Sequence, residues 1–317
     1  MSKNFAKPYR PRVPHLQKTI SPVIDSLVTM ETPDTAGPDS PPANTYAGVA
    51  LLGWMERSQA IRFLTEDCWF EPALTESAAE SLWLEWRGRA ASLPAREASV
   101  PEPLPLTQAE NAHAARFLQF VGSIGLSGVE VVKIDPMQLV AGQYHIAIDV
   151  AATHAQRCAD DSAWIERLLP TSPSNPQLNM NFLRRNMDTE VVIDLPHGEF
   201  IFGVHPHGGF GPKELLGHVM AVRAGKRMLL GKGYHRLFAR VSAVGGSLPE
   251  RLSLVGLDPT SVSPPSASSD ADGLDIFGAR PALFADFFTE GLAMPVYLRK
   301  KRYQLQIHAR WIATNES

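Results

Sequence analysis

At 317 residues the chain is long enough for two domains, or for one large domain with a tail. Its 44% hydrophobic and 20% charged residues are ordinary for a soluble globular protein, and a net charge of −3 without any block of five basic residues argues against a general nucleic-acid-binding surface. Two distant cysteines, Cys68 and Cys158, give no support to a disulfide framework or a structural zinc site, and no apolar run approaches the roughly 18 residues of a membrane span.

Residues 1–44 are rich in Pro, Ser, Thr and Asp, with Pro33, Pro38, Pro41 and Pro42 close together. Such a composition buries too little apolar surface to order itself, so a disordered or loosely docked arm is expected, available to a protein partner. Met1–Lys18 carries basic residues with no apolar core behind them and does not read as a secretory signal, which makes a reducing cytoplasm the expected setting.

Residues 45–125 read as a helical region. Thr75 is placed to cap a helix over Glu76–Ala90, where Ala79, Leu82, Trp83 and Trp86 recur at three- and four-residue steps and form one apolar face. Helical periodicity accounts for these tryptophans as core rather than as a base-stacking platform. The Pro-rich stretch 93–106 reads as a linker, and Thr107-Gln-Ala-Glu110 matches a capping box opening a second helix through Phe120. On that helix His113 is expected to serve packing or the surface.

From residue 126 to 317 the expectation is a mixed-sheet α/β domain. Val129–Ile134 reads as a buried strand ended by Asp135-Pro136, and Gln143–Val150 fits either a strand or the start of a helix. A short helix is expected from Trp164, stopped at Pro170. Glu190–Leu195 and Glu199–Val204 read as strands joined through Pro196-His-Gly198, a hairpin-like turn. Helices are expected over Glu214–Ala224 and Ala279–Thr289, a surface loop over Ser261–Gly273, and a final hairpin from Met294–Leu298 and Tyr303–Trp311.

Two strings could carry chemistry. In the first, the apolar run Met228–Leu230 breaks at Gly231 and Gly233 and continues as a helix-compatible segment from Tyr234 to Val241. A strand that ends in glycines and restarts as a helix leaves backbone N–H groups at the helix N-terminus, where they can hold an anion. Gly233 would let the backbone approach a ligand, and His235 and Arg236 add two donors beside those amides.

The second string is Phe200-Ile-Phe-Gly-Val-His-Pro-His-Gly-Gly-Phe-Gly211. His205 and His207, two apart on an extended segment, would face one side and could ligate a metal if His197 or Glu199 supplied a third ligand, although the Pro and Gly residues favour a loop.

The Gly231–Arg236 turn, with Ala239 as the small residue of the following helix and a strand at Leu252–Val255, resembles the phosphate-binding turn of ParB/sulfiredoxin-like domains. That resemblance implies a ParB/sulfiredoxin-like fold in which Gly231, Gly233, Tyr234, His235 and Arg236 bind the phosphates of a small-molecule nucleotide, ATP or CTP with Mg. NTP hydrolysis or phosphoryl transfer would be a further possibility. Tyr234 stands where sulfiredoxins place their nucleophilic cysteine, so sulfinate reduction is not expected. The His205-Pro-His207-Gly string is similar to the signature of diacylglycerol and monoacylglycerol acyltransferases, which would make His205 or His207 a general base in acyl transfer. A third expectation is a non-enzymatic interaction or scaffold protein, since no full catalytic set is evident. His205, His207 and His235 are thus the catalytic candidates, and no metal site is assigned.

Overall fold

The computed structural model describes residues 44–96, 100–123, 125–172, 179–185, 188–195, 199–204, 210–215, 218–245, 248–262, 274–300 and 303–310. All but the last residue of the expected 1–44 arm, and most of the expected loop at 261–273, lie outside them. The class is α/β with mixed sheets.

Strand β1 (Thr45–Ala50) leads through a 3-10 turn at Leu52–Trp54 into α1 (Arg57–Arg62), then β2 (Cys68–Trp69), α2 (Glu76–Ala91) and α3 (Gln108–Ser123). Next come β3 (Glu130–Ile134), β4 (Val140–Ala141), β5 (His145–Ala147), α4 (Ile148–Ala155) and α5 (Asp161–Leu168). Four strands follow, β6 (Asn179–Arg185), β7 (Asp188–Leu195), β8 (Glu199–Val204) and β9 (Phe210–Leu215). Then β10 (Met220–Ala224), β11 (Arg227–Lys232), α6 (Tyr234–Val244), α7 (Leu248–Arg251) and β12 (Ser253–Val262) precede β13 (Met294–Arg299) and β14 (Tyr303–Arg310).

The chain forms two compact units, one from residues up to 171 with 218–299, the other from 172–217 with 300 onward. In the first unit a four-stranded sheet runs β2-β13-β1-β5, and a five-stranded sheet runs β3-β12-β10-β11-β4. The larger sheet is mixed: β10 lies antiparallel to β11 and parallel to β12, while β11 is parallel to β4. Phe117 and Val121 of α3 share one apolar cluster with Leu230 of β11 and Leu254 and Val255 of β12. A second cluster joins Ala60 of α1 and Ala79, Leu82 and Trp86 of α2 to Met294, Val296 and Leu298 of β13, so helices of the 45–125 region and strands of the later region bury their apolar faces together in both clusters.

Helix starts agree with the local chemistry. The Thr75 hydroxyl accepts from the Ala78 N–H at 3.3 Å, and α2 buries Ala79, Leu82 and Trp86 while the half-buried Trp83 donates from Nε1 to the Met55 carbonyl. At α3 the capping box is closed in both directions: Thr107 N–H to Glu110 Oε2 at 2.7 Å, and Glu110 N–H to Thr107 Oγ1 at 3.2 Å. His113 on this helix is buried and bonds through Nε2 to the Leu169 carbonyl at 2.7 Å, a packing role.

Several expectations are corrected. Residues 45–50 are a strand, not a helix, with Gly48 allowing close approach: a Cβ there would meet the Ile146 carbonyl at 2.8 Å. The Gln143–Val150 segment is both alternatives in turn, strand β5 and then α4. Where a helix is expected over 214–224, Met220–Ala224 is a strand held between β11 and β12, and its buried Met220, Ala221 and Ala224 reflect burial on both faces. The expected helix at 279–289 survives only as a 3-10 segment, Phe284–Phe288. Pro281 cannot supply a helical N–H, and the chain beside it runs along β4, with Ala141 N–H donating to Ala282 and Phe284 N–H to Leu139.

Neither expected hairpin forms. In the second unit β7 pairs with β6 and β14, while β8 pairs with β9. β13 belongs to the first unit, paired with β1 and β2. Residues 196–198 lie outside the described residues.

Candidate functional site

β11 carries the chain to Lys232, and Gly233 turns it into α6 with φ 87° and ψ 19°, a left-handed conformation that suits glycine. A Cβ at Gly233 would also stand 2.7 Å from Val219 Cα. Close approach to the neighbouring backbone therefore explains this glycine without a ligand. At Gly231 a Cβ would meet only the Met220 carbonyl at 3.6 Å, an ordinary contact. The first intrahelical bond runs from Leu237 N–H to the Gly233 carbonyl at 3.0 Å, so the amides of Tyr234, His235 and Arg236 are the N-terminal donors of an eleven-residue helix.

The three side chains that follow have separate tasks. Tyr234 is buried, and its hydroxyl accepts from Gly142 N–H at 2.6 Å and Gln143 N–H at 3.0 Å while donating to the Leu230 carbonyl. Burial pushes its pKa above the usual phenol value. Tyr234 is thus a bolt between β11, the loop after β4, and α6, and its hydroxyl is directed at the protein. The half-buried His235 accepts the Ala147 N–H on Nε2 at 3.0 Å, which ties the start of α6 to the start of α4. A nitrogen accepting a backbone N–H carries no proton, so His235 is neutral in this arrangement, with its proton on Nδ1. Arg236 is buried, 8% exposed, on the same helical turn.

His154 stands at the C-terminal end of α4 and feels the charge of Arg236 on this turn. Arg167 of α5 donates from Nε to His154 Nδ1 at 2.9 Å, and its Nη2 lies 2.5 Å from the same nitrogen. Burial first, then the charges of Arg167, Arg236, His235 and Arg157, lower the imidazole pKa from 6.5 to about 3. Every charged group in that set is basic. Since His235 accepts through Nε2, the three guanidiniums carry most of the field.

The cluster is bounded on α6 by Arg240, which pairs with Asp161 at 2.8 Å and stands over the Trp164 ring at 5.8 Å. Cys158 is close enough to feel Arg167 and Arg240, but burial dominates and raises its thiol pKa.

Of the residues expected to form the site, the structure brings Gly231, Gly233, Tyr234, His235 and Arg236 to one turn, as their adjacency requires. His205 and His207 lie outside the described residues, between β8 and β9, which are paired antiparallel with Val204 opposite Phe210. The strands preceding the two strings belong to different sheets: β8 forms a two-stranded sheet with β9 in the second unit, and β11 belongs to the five-stranded sheet of the first.

His154, Arg157 and Arg167 escape sequence reasoning. Their only local signal is the spacing of His154 and Arg157 near the end of one helix, and nothing local links them to Arg236 nearly 80 residues later. Among the described residues no group of three or more His, Cys, Asp or Glu side chains is placed to hold a metal ion, and no helix is long and apolar enough to cross a membrane. No family model, no curated protein and no solved structure matches the chain.

Proposed function

We propose that this protein binds the phosphate groups of a small-molecule nucleotide at the start of α6. The observation that carries the proposal is the buried guanidinium side chain of Arg236 on the first turn of that helix, beside its N-terminal amides, and the charges of Arg167 and Arg157 add to its effect on His154. Guanidiniums together with helix N-terminal donors suit a multiply charged oxyanion, because each supplies directed N–H groups and the helix dipole adds a favourable field. The sequence resemblance supplies the nucleotide class, ATP or CTP with Mg. Tyr234 has no part in binding on this reading, since its hydroxyl is engaged with backbone. Gly233 shapes the turn.

The proposal is one of binding rather than turnover. His235 as general base is disfavoured by its Nε2, which accepts the Ala147 N–H. That same bond favours the alternative of a non-enzymatic binding module. Acyl transfer would rest on His205 or His207, and transfer or hydrolysis of acyl-coenzyme A, lost on changing either histidine to Ala, is the outcome that would support it.

Thermal-shift and calorimetric titration with ATP, CTP, GTP and ADP, each with and without magnesium, tests the proposal. At least one should raise Tm, and Arg236→Gln should weaken it by about tenfold or more, roughly 1.4 kcal/mol, with the far-UV circular dichroism unchanged. No binding at millimolar concentration by any of the four would remove the nucleotide reading.

A further inference from the structure

Helices α3 and α5 meet at His113, whose ring lies between two surface side chains of opposite charge. Its Nε2 stands 2.7 Å from the Leu169 carbonyl, which only accepts, so that nitrogen carries a proton. Nδ1 faces Arg116 Nη2 at 3.4 Å and Glu166 Oε2 at 3.7 Å. The imidazole is buried and fixed by the carbonyl, whereas Arg116 and Glu166 are exposed, so that they can shift at little cost.

A proton on Nδ1 decides between the two. Unprotonated, Nδ1 accepts from Arg116 and presents only a lone pair to the Glu166 carboxylate. Protonated, it donates; Arg116, also a donor, then has no bond to make there, and Glu166 has one strengthened by opposite charge. Glu166 Oε1 already accepts the Thr171 N–H at 2.8 Å and the Thr171 hydroxyl at 2.9 Å, while Oε2 lies farther from that hydroxyl, at 3.2 Å. Oε2 is thus the oxygen for His113, and Thr171 keeps Oε1. The other charged groups of the elements packed here are turned elsewhere. Glu110 of α3 pairs with Lys133 of β3 at 2.8 Å, and Glu130 of β3 is exposed. On α5, Asp161 pairs with Arg240 at 2.8 Å and Arg167 bonds His154 at 2.9 Å. His218, ahead of β10, lies edge-on against Phe117 at 5.6 Å, and Asp258 of β12 accepts from the Thr260 hydroxyl at 2.6 Å.

We propose that His113 is a proton-operated switch between Arg116 and Glu166. Neutral, it holds Arg116; charged by one proton from solvent, it releases Arg116 to water and closes on Glu166. The imidazolium–carboxylate pair then ties α3 to α5 and to Thr171, the last residue of the first unit before the chain passes into the second. Histidine is the side chain whose ordinary charge change falls between about pH 5 and 8, so mild acid is the condition that engages the tie. The sense is opposite to that at His154, where a proton removes a partner instead of supplying one.

Two measurements on the full-length protein test the switch. In long-range 1H–15N correlation spectra of histidine-labelled protein, His113 Nε2 should carry its proton throughout, and Nδ1 should gain one between about pH 8 and about pH 5. In urea unfolding, Glu166→Gln should lower the folding equilibrium constant by about fivefold more at about pH 5.5 than at about pH 8, the size of a charge-assisted bond with one exposed partner. That difference should vanish in a His113→Gln background, where the amide keeps a donor for the Leu169 carbonyl and takes no charge. An Nδ1 that stays unprotonated over the whole range overturns the switch, and so does a Glu166→Gln effect equal at the two pH values. If His113→Gln does not fold, Arg116→Gln serves in its place. Removing the competing cation should move protonation of Nδ1 to higher pH, and no movement, or movement the other way, overturns the exchange of partners.

Discussion

Arg167 donates through Nε to His154 Nδ1 at 2.9 Å, and the imidazole so engaged is held neutral by burial and by the charges of Arg167, Arg236 and Arg157. The pair ties α5 to α4 in a state that acid cannot share. A proton on His154 has to enter a half-buried site already occupied by a guanidinium.

Acid should destabilise the protein through His154. Its folded pKa of about 3 lies below the usual 6.5, so between these values the unfolded chain binds the proton and the folded chain does not. Stability from this group is fully present above about pH 6.5 and is lost as pH falls toward 3, at up to about 1.4 kcal/mol per pH unit. Thermal unfolding between pH 7.5 and 4 should show Tm falling more steeply for the wild type than for His154→Gln. Parallel slopes would mean that another group governs acid sensitivity.

Tyr234→Phe should cost about 2–4 kcal/mol in urea unfolding. The change keeps the ring in its buried place but strips a partner from Gly142 N–H, Gln143 N–H and the Leu230 carbonyl, and each unmet buried polar group costs about 1–3 kcal/mol before relaxation. Phosphate affinity at saturating folded protein should stay within about twofold, because the hydroxyl faces the protein. A large loss of affinity at unchanged stability would return Tyr234 to the ligand site.

The two glycines of the turn should separate cleanly. Gly233→Ala forces a side chain into φ 87° and within 2.7 Å of Val219 Cα, so a loss of at least about 2 kcal/mol is expected. Gly231→Ala meets only ordinary contact at 3.6 Å and should change stability by less than about 1 kcal/mol. If Gly231→Ala leaves stability intact yet abolishes phosphate binding, the backbone of residue 231 approaches the ligand directly.

What the sequence determined by itself is local. Thr75 at the start of α2, the Thr107–Glu110 box at the start of α3, and the Gly233 turn into α6 are each decided within about four residues. Their chemistry, a hydroxyl or carboxylate meeting a free N–H or a glycine meeting a positive φ, is complete without a distant partner. Tertiary structure decided the rest. Met220–Ala224 is compatible with a helix until β11 and β12 flank it, and Thr45–Ala50 becomes a strand because β13, some 250 residues later, pairs with it. The same holds at the site. Tyr234 and His235 look like ligand donors in the string, but their bonds go to Gly142, Gln143 and Ala147, some 90 residues upstream. His154, Arg167 and Arg236 carry no mutual signal in the chain, because a charge acts through space and its neighbours are set by how α4, α5 and α6 pack.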